Sequence, residues 1–242
     1  MKRMRATFKC LTALVALMGA GTAEAASLRV SPVTLDLRIP RSSATLTLRN
    51  DADRPVDVQV RVFRWTQKDG VDQYEPTSGV VASPPATRLA PNVDYTVRVV
   101  RTSKAPIATE ESYRIVVDEI PTNLIRRSGT INLVMRHSIP VFFRNPQAQA
   151  PKVSWKIAQA SGGGLRLVGQ NTGGTRLRLS DLSLLQGTAP AYKKNGLVGY
   201  VLAGATMEWP IALRQRPAGS TFKLKADSQL GAVDENVPLI GR

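Results

Sequence analysis

Residue types capable of covalent chemistry are sparse in this chain, and their spacing argues against most of the reactions they could support. His137 is the sole histidine and Cys10 the sole cysteine, so no histidine–cysteine metal set can be assembled. A serine nucleophile would need His137 or a lysine as its base, and no nucleophile-elbow pattern occurs. Gly162-Gly163-Gly164 lacks the lysine and the strand–loop–helix setting of a phosphate loop, and reads as a loop. Asp118 and Glu119 are adjacent in a strand-like run, so they point to opposite faces and cannot act as a paired acid and base. The expectation is a protein that is not an enzyme and uses no cofactor, nucleotide or metal.

The remaining chemistry is recognition by charge and by extended backbone. The 242 residues carry 33 basic and 18 acidic side chains. Lys2, Arg3, Arg5 and Lys9 precede an apolar stretch, Leu11 to Ala20, that ends in GTAEAA. This is the pattern of a secretory signal peptide over residues 1–25, with Ala23-Glu24-Ala25 fitting the small-x-small cleavage rule. The apolar stretch is too short to span a bilayer, and no later segment approaches that length, so no membrane insertion is expected. Removing four basic residues and Glu24 with the leader leaves 29 basic against 17 acidic. Such an excess favours anionic partners. Export and the lack of any zinc, helix-turn-helix or basic-aromatic pattern argue against nucleic acid. Cleavage also removes Cys10, so the mature chain holds together without disulfides, which suits a periplasmic location.

No stretch of the mature chain has a helical period, and valine, threonine, leucine and turn residues recur at short intervals, so the fold class is all-β. Leu28 and Val30 share one parity and Val33, Leu35, Leu37 and Ile39 the other, with Ser31-Pro32 at the changeover. A strand with that break is expected to leave one sheet for another. Later runs are read at Thr45–Arg49, Val56–Trp65 and Tyr95–Val100, with turns at Asp69-Gly70 and Leu89-Ala90-Pro91-Asn92. Two longer runs follow, SYRIVVDEIP (Ser112 to Pro121) and INLVMRHSIPVFFR (Ile131 to Arg144), joined by TNLIRRSG. In the second, Ile131, Leu133, Met135, His137, Ile139, Val141 and Phe143 share a face. Residues 26–145 therefore form a first sandwich of about seven strands, 146–151 a linker, and 152–242 a second β domain. In the latter, strands are expected at Val153–Ile157, Leu165–Val168, Thr175–Leu179, Leu182–Leu184, Val198–Leu202 and Thr221–Lys225, with a turn at Asn195-Gly196.

In order along the first domain, LRVSPVTLDL, VRVFRW, SPP, LAPN, SYRIVVDEIP and MRHSIP give the chain a resemblance to periplasmic pilus-assembly chaperones of the chaperone-usher pathway, nearest their archaic branch. The second domain matches only in length, strand character and position. The resemblance implies two immunoglobulin-like domains set in an L with a cleft between them. It implies that an edge strand, about 131–143, is lent to incomplete pilus subunits, which are capped and delivered to an outer-membrane usher. The lent side chains would be Ile131, Leu133, Met135, His137 and Ile139, with Leu124 and Ile125 extending the contact from the preceding loop. The family's basic anchors for the subunit carboxylate fall, in its better-known branch, at Pro32 and Pro140 here, so Arg114 is the expected anchor, with Arg101 and Arg136 in reserve. Interdomain ion pairing would map to Glu111, Arg144 and Asp227, and the free protein would self-cap or dimerise. The competing reading is an exported β-sandwich module that binds acidic polysaccharide through its basic surface.

Overall fold

The computed structural model describes residues 28–121, 134–160, 164–213 and 219–241. All the regular structure among them is β, in two sandwiches with separate cores.

In the first sandwich, β1 (Leu28–Ser31), β3 (Ser43–Asn50), β8 (Asp94–Arg101) and β6 (Val80–Ser83) form a sheet in the order β1-β3-β8-β6. The facing sheet has the order β2-β10-β9-β4-β5, built from β2 (Leu35–Arg38), β10 (Arg136–Arg144), β9 (Glu110–Ile120), β4 (Val56–Lys68) and β5 (Val71–Pro76). A short β7 (Ala86–Leu89) pairs with the first part of β4. The opening segment changes sheet as its parity break suggests, since β1 pairs with β3 and β2 with β10. Alternation puts Leu28, Val30, Leu35 and Leu37 inside, against Leu46, Leu48, Val97, Val99, Ile115 and Val117. Val33 departs from its parity class: it sits in the crossing between sheets and is 75 % exposed. Asp69-Gly70 closes the β4–β5 hairpin with both residues at positive φ, 54° and 77°, which matches the twist of a two-residue hairpin.

The second sandwich comprises β11 (Val153–Gln159), β12 (Leu165–Asn171), β13 (Leu177–Gln186), β14 (Ala189–Val201), β15 (Thr206–Ile211), β16 (Thr221–Ser228) and β17 (Gly231–Ile240), in the order β14-β13-β16-β17-β11-β12-β15. β17 joins the two halves, antiparallel to β16 and then parallel to β11. Trp155 and Trp209 pack at 6.1 Å in its core, and a Cβ on Gly169 would lie 2.6 Å from the Trp155 ring. Two expected boundaries differ. Thr175–Leu179 and Leu182–Leu184 belong mostly to one strand, β13, with a bulge at Asp181, whose φ is 50°. Asn195-Gly196 lies opposite that bulge inside β14, where the Gly196 N–H bonds Asp181 Oδ1 at 2.8 Å, and the hairpin turns at Gly187 instead.

Candidate functional site at the seam of the two sandwiches

Strand β9 sorts its side chains by parity. Tyr113, Ile115 and Val117 enter the first core, while Arg114, Val116 and Asp118 look out from the other face of the sheet. Arg114 is flanked in register by Phe63 on β4 and Pro140 on β10. On that face Trp65 and Phe142, 1 % and 0 % exposed, meet Tyr200 and Leu202 of the second sandwich. Full burial of each large apolar group is worth about 1.5–3 kcal/mol, so this cluster holds the sandwiches together. Two polar clamps flank it. The Gln67 amide donates to Tyr200 O at 2.9 Å and accepts from the Leu202 N–H at 2.9 Å, and the Glu208 N–H donates to Gly70 O at 2.9 Å.

Arg114 lies in that seam. Its guanidinium carbon is 3.9 Å above the Trp65 ring and 5.6 Å from that of Tyr200, a cation–π stack. Its Nε is buried and has no hydrogen-bond partner. Trp65 is fixed beneath it by Nε1–H donating to Asp72 Oδ1 at 2.8 Å. Burial, reinforced by the Asp72 charge, pushes the Tyr74 hydroxyl up, against the opposing charge of Arg114.

The two reserve anchors are engaged. Arg101 is buried within the first sandwich, where its guanidinium grips both oxygens of Glu111 at 2.8 and 2.9 Å and donates to Ser103 O and Ala105 O. It is therefore an internal staple and not an accessible anion site, which corrects the sequence expectation. Arg136, at the exposed start of β10, pairs with Asp118, which also takes Arg61 at 2.5 Å. Burial would raise the Asp118 carboxyl, but hydrogen bonds from Arg136 and Arg61 outweigh it and hold the group below its usual range.

The expected interdomain ion pairing is corrected as well. Glu111 faces Arg101 inside the first sandwich, and its neighbour Glu110 makes the bridge. Arg176, just ahead of β13, contacts Glu110 at 2.5 Å and Asp36 at 2.9 Å and stacks 3.5 Å over Phe142, while Arg144 lies 3.1 Å from Asp36. The bridge thus runs through Asp36, Glu110, Arg144 and Arg176. Nothing in the spacing marks Arg176, whereas Gln67 carried a signal, sharing the parity of Trp65 just before the Asp69-Gly70 turn.

The strand proposed for lending divides in two. Ile131, Leu133, Leu124 and Ile125 lie outside the described residues. Met135 packs against the first core, and Ile139 is 3 % exposed within it, together with Val141 and Phe143. Ile139 is thereby removed from the side chains available to a partner. His137 is half-buried, with Nε2 2.9 Å from Leu28 O, where it links the start of β10 to β1 of the opposite sheet. From Val141 to Arg144, β10 is flanked by β9 on one edge and by β2, running parallel, on the other. From Arg136 to Ile139 only β9 flanks it, and among the described residues the second edge is open there. Among the described residues, no group of three His, Cys, Asp or Glu is placed to hold a metal ion, and no helix is long and apolar enough to cross a membrane.

A sandwich whose last strand is uncovered along part of one edge among the described residues, joined to a second sandwich with an arginine in the seam, defines a two-domain β protein. The family described as pili and flagellar-assembly chaperone, PapD N-terminal domain, matches residues 27–149, and the chain belongs to it. Among solved structures, the chain is similar to one in the CsuC–CsuE chaperone–tip adhesion subunit pre-assembly complex from archaic chaperone-usher Csu pili of Acinetobacter baumannii. The TM-score is 0.71 at 23 % identity, over 89 % of this chain and 100 % of that one. It is also similar to a chain in the complex of Salmonella enterica SafA pilin with the SafB chaperone, with a TM-score of 0.59 and 18 % identity over 89 % and 97 % of the two chains. The E. coli chaperone DraB matches with a TM-score of 0.55 and 26 % identity over 88 % and 96 %. A search of curated proteins finds no match.

Proposed function

We propose that this protein is a periplasmic chaperone that binds incomplete pilus subunits by lending them the segment leading into β10, and passes them to an outer-membrane usher. The observation that carries this reading is the open edge of β10 over Arg136–Ile139, which continues the segment bearing Ile131 and Leu133. Those two residues share the parity of Met135, so side chains at every second position would enter a partner's groove while backbone bonds fix the pairing. Ile131 and Leu133, at about 1.5–3 kcal/mol each, supply much of the affinity such a contact needs, while Met135 packs against the first core. Arg114 is the anchor for the subunit's terminal carboxylate: an unpaired Nε held in a seam of aromatic rings favours a planar anion. Chaperone–subunit complexes among the similar structures support the same partner class. In the absence of a subunit, the uncovered edge would be protected by self-capping or dimerisation.

The test is co-expression with a small exported pilus subunit that lacks its own final strand. Wild-type protein is expected to co-purify with the subunit, an Ile131→Asp, Leu133→Asp double variant to lose it, and Arg114→Ala to weaken it. Subunit recovery unchanged in the double variant refutes strand lending. Unchanged recovery in Arg114→Ala removes only the anchor.

A further inference from the structure

The β4–β5 hairpin carries four side chains toward the second sandwich. Its two-residue turn at Asp69-Gly70 fixes the register, so Gln67 lies opposite Asp72 and Trp65 opposite Tyr74. Period two then puts all four on one face of the sheet. The Asp72 carboxylate joins the other three. Its Oδ1 accepts the Trp65 Nε1–H at 2.8 Å and a Gln67 Nε2–H at 2.9 Å, and its Oδ2 accepts the Tyr74 hydroxyl at 3.3 Å. Each of the first two bonds has a consequence across the seam. Trp65 is almost wholly buried, beneath Arg114 at 3.9 Å and edge-on to Tyr200 at 5.3 Å, and an indole N–H buried that far needs an acceptor. Gln67 uses every polar group of its amide: N–H groups for Asp72 and for Tyr200 O at 2.9 Å, and the oxygen for the Leu202 N–H at 2.9 Å. An ionised carboxylate only accepts, so an amide turned the other way would set oxygen against oxygen at Asp72. Asp72 thereby selects the amide orientation that grips the second sandwich.

We propose that Asp72 is the positioning residue of the Arg114 site, an inference that rests on the strand-lending reading above. One carboxylate sets the Trp65 platform beneath Arg114 and the Gln67 amide on Tyr200 and Leu202, so the site and the docking of the second sandwich depend on the same group. Tyr200 belongs to both arms: its ring meets Trp65 and Arg114, and its carbonyl takes the Gln67 N–H. Asp72 itself stands on β5, the edge strand of its sheet, and forms no ion pair with lysine or arginine among the described residues. Its role is therefore that of an acceptor for these donors and not that of a counter-ion. Loss of the carboxylate frees the indole and the amide together, which loosens Arg114 and the second sandwich in one step.

The experiment follows two protons by hydrogen exchange in the purified protein without subunit, the Trp65 indole Nε1–H and the Leu202 amide, in wild type, Asp72→Ala, Asp72→Asn and Gln67→Ala. Asp72→Ala is expected to speed both by about tenfold, the worth of one hydrogen bond between partly buried groups. Asp72→Asn keeps an oxygen for the same two donors and should stay within about threefold of wild type at both. Gln67→Ala should speed Leu202 and leave the indole unchanged. Slow exchange at the Ile115 amide, in the centre of the first core, confirms that each variant folds. The same variants are then co-expressed with a pilus subunit, and capture should fall about tenfold in Asp72→Ala and recover in Asp72→Asn. If Asp72→Ala moves neither proton or only one, or Asp72→Asn moves both as far, the carboxylate does not position the two arms. If the protons respond as expected but Asp72→Ala captures subunit as well as wild type does, Asp72 docks the domains without positioning the site. If wild type itself captures no subunit, the strand-lending reading fails, and Asp72 keeps only the docking role that the exchange data report.

Discussion

Asn50 in the first sandwich and Asn171 in the second do the same local job with different reach. Each ends a strand, β3 and β12, and is almost wholly buried. Each accepts the N–H two residues on and donates to the carbonyl four residues on: Ala52 N–H and Arg54 O in one, Gly173 N–H and Thr175 O in the other. The side chain plugs the end of the sandwich by satisfying loop backbone that water cannot reach. Asn50 reaches one further carbonyl, that of Leu89. Asn171 also binds the carbonyls of Val201 and Leu202 and the Lys152 N–H, so it ties together the chain leading into its domain and the segment that meets Gln67. The first plug closes a domain, and the second also holds an interface.

That difference predicts unequal costs. Removing either amide orphans buried backbone groups at about 1–3 kcal/mol each before relaxation. Asn171→Ala is expected to lower unfolding stability by about 3–4 kcal/mol and Asn50→Ala by about 2 kcal/mol in urea titrations. Amide exchange at Leu202, whose N–H bonds Gln67, should accelerate only in Asn171→Ala. Equal costs, with Leu202 unchanged in both, would remove the coupling between plug and seam.

The same contrast explains what could be read from the sequence. Strands β9 and β10 were legible because each has one face in a core, and period two marks such a face. Parity cannot tell where along that face the protein's own sheet ends, so Met135 and Ile139 looked alike although Ile139 is enclosed in the first core and Met135 lies at its margin. That boundary is set by where β2 stops covering β10, a long-range fact. Strands β5, β15 and β17 were missed for a related reason. β17 buries only Val237 fully and is held by two neighbours through its backbone, and β15 carries Pro210 at the end of its sheet. The plugs escaped notice because the residues between the paired positions are unrelated, DADR against TGGT. Arg114 was reached through the resemblance carried by SYRIVVDEIP, with Arg101 and Arg136 beside it, but the aromatic seat beneath it needed both domains.

Glu110 and Glu111 sharpen the comparison on a smaller scale, since neighbouring carboxyls face the seam and the first core respectively. Burial raises Glu110, and the charge and hydrogen bonds of Arg176 offset this only in part. Burial also acts to raise Glu111, but hydrogen bonds from Arg101 and Tyr113 outweigh it and leave the group below its ordinary value of 4.5. A lowered carboxyl contributes stability that is present above 4.5 and is lost as pH falls through its folded value. A raised one contributes stability that is present below 4.5 and is lost as pH rises through its folded value. Glu111→Gln should therefore cost about 2 kcal/mol at neutral pH, with the deficit shrinking as pH falls below 4.5. The wild-type advantage over Glu110→Gln should change in the opposite direction, declining as pH rises above 4.5. Urea titrations from about pH 3 to about pH 7 give both slopes, and slopes of the same sign would break the assignment of the two carboxyls to different environments.

The smallest expected effect tests the hairpin clamp at the seam. Gly70 has φ 77°, and a Cβ there would fall 2.4 Å from Glu208 Cγ and 2.6 Å from Cδ. Gly70→Ala thus meets two costs. One is backbone strain at positive φ, about 1 kcal/mol, which any first-domain turn of this shape would incur. The other is steric displacement of Glu208, which also releases Arg166 from its 2.8 Å contact and exists only because the second sandwich is docked there. The two separate in a double variant: Gly70→Ala alone should cost about 1–2 kcal/mol, and Gly70→Ala in a Glu208→Ala background only the strain of about 1 kcal/mol. A cost that Glu208→Ala leaves unchanged would mean that the β4–β5 hairpin touches the second sandwich without bearing on it, and that Gln67 and the Trp65 cluster alone hold that side of the seam.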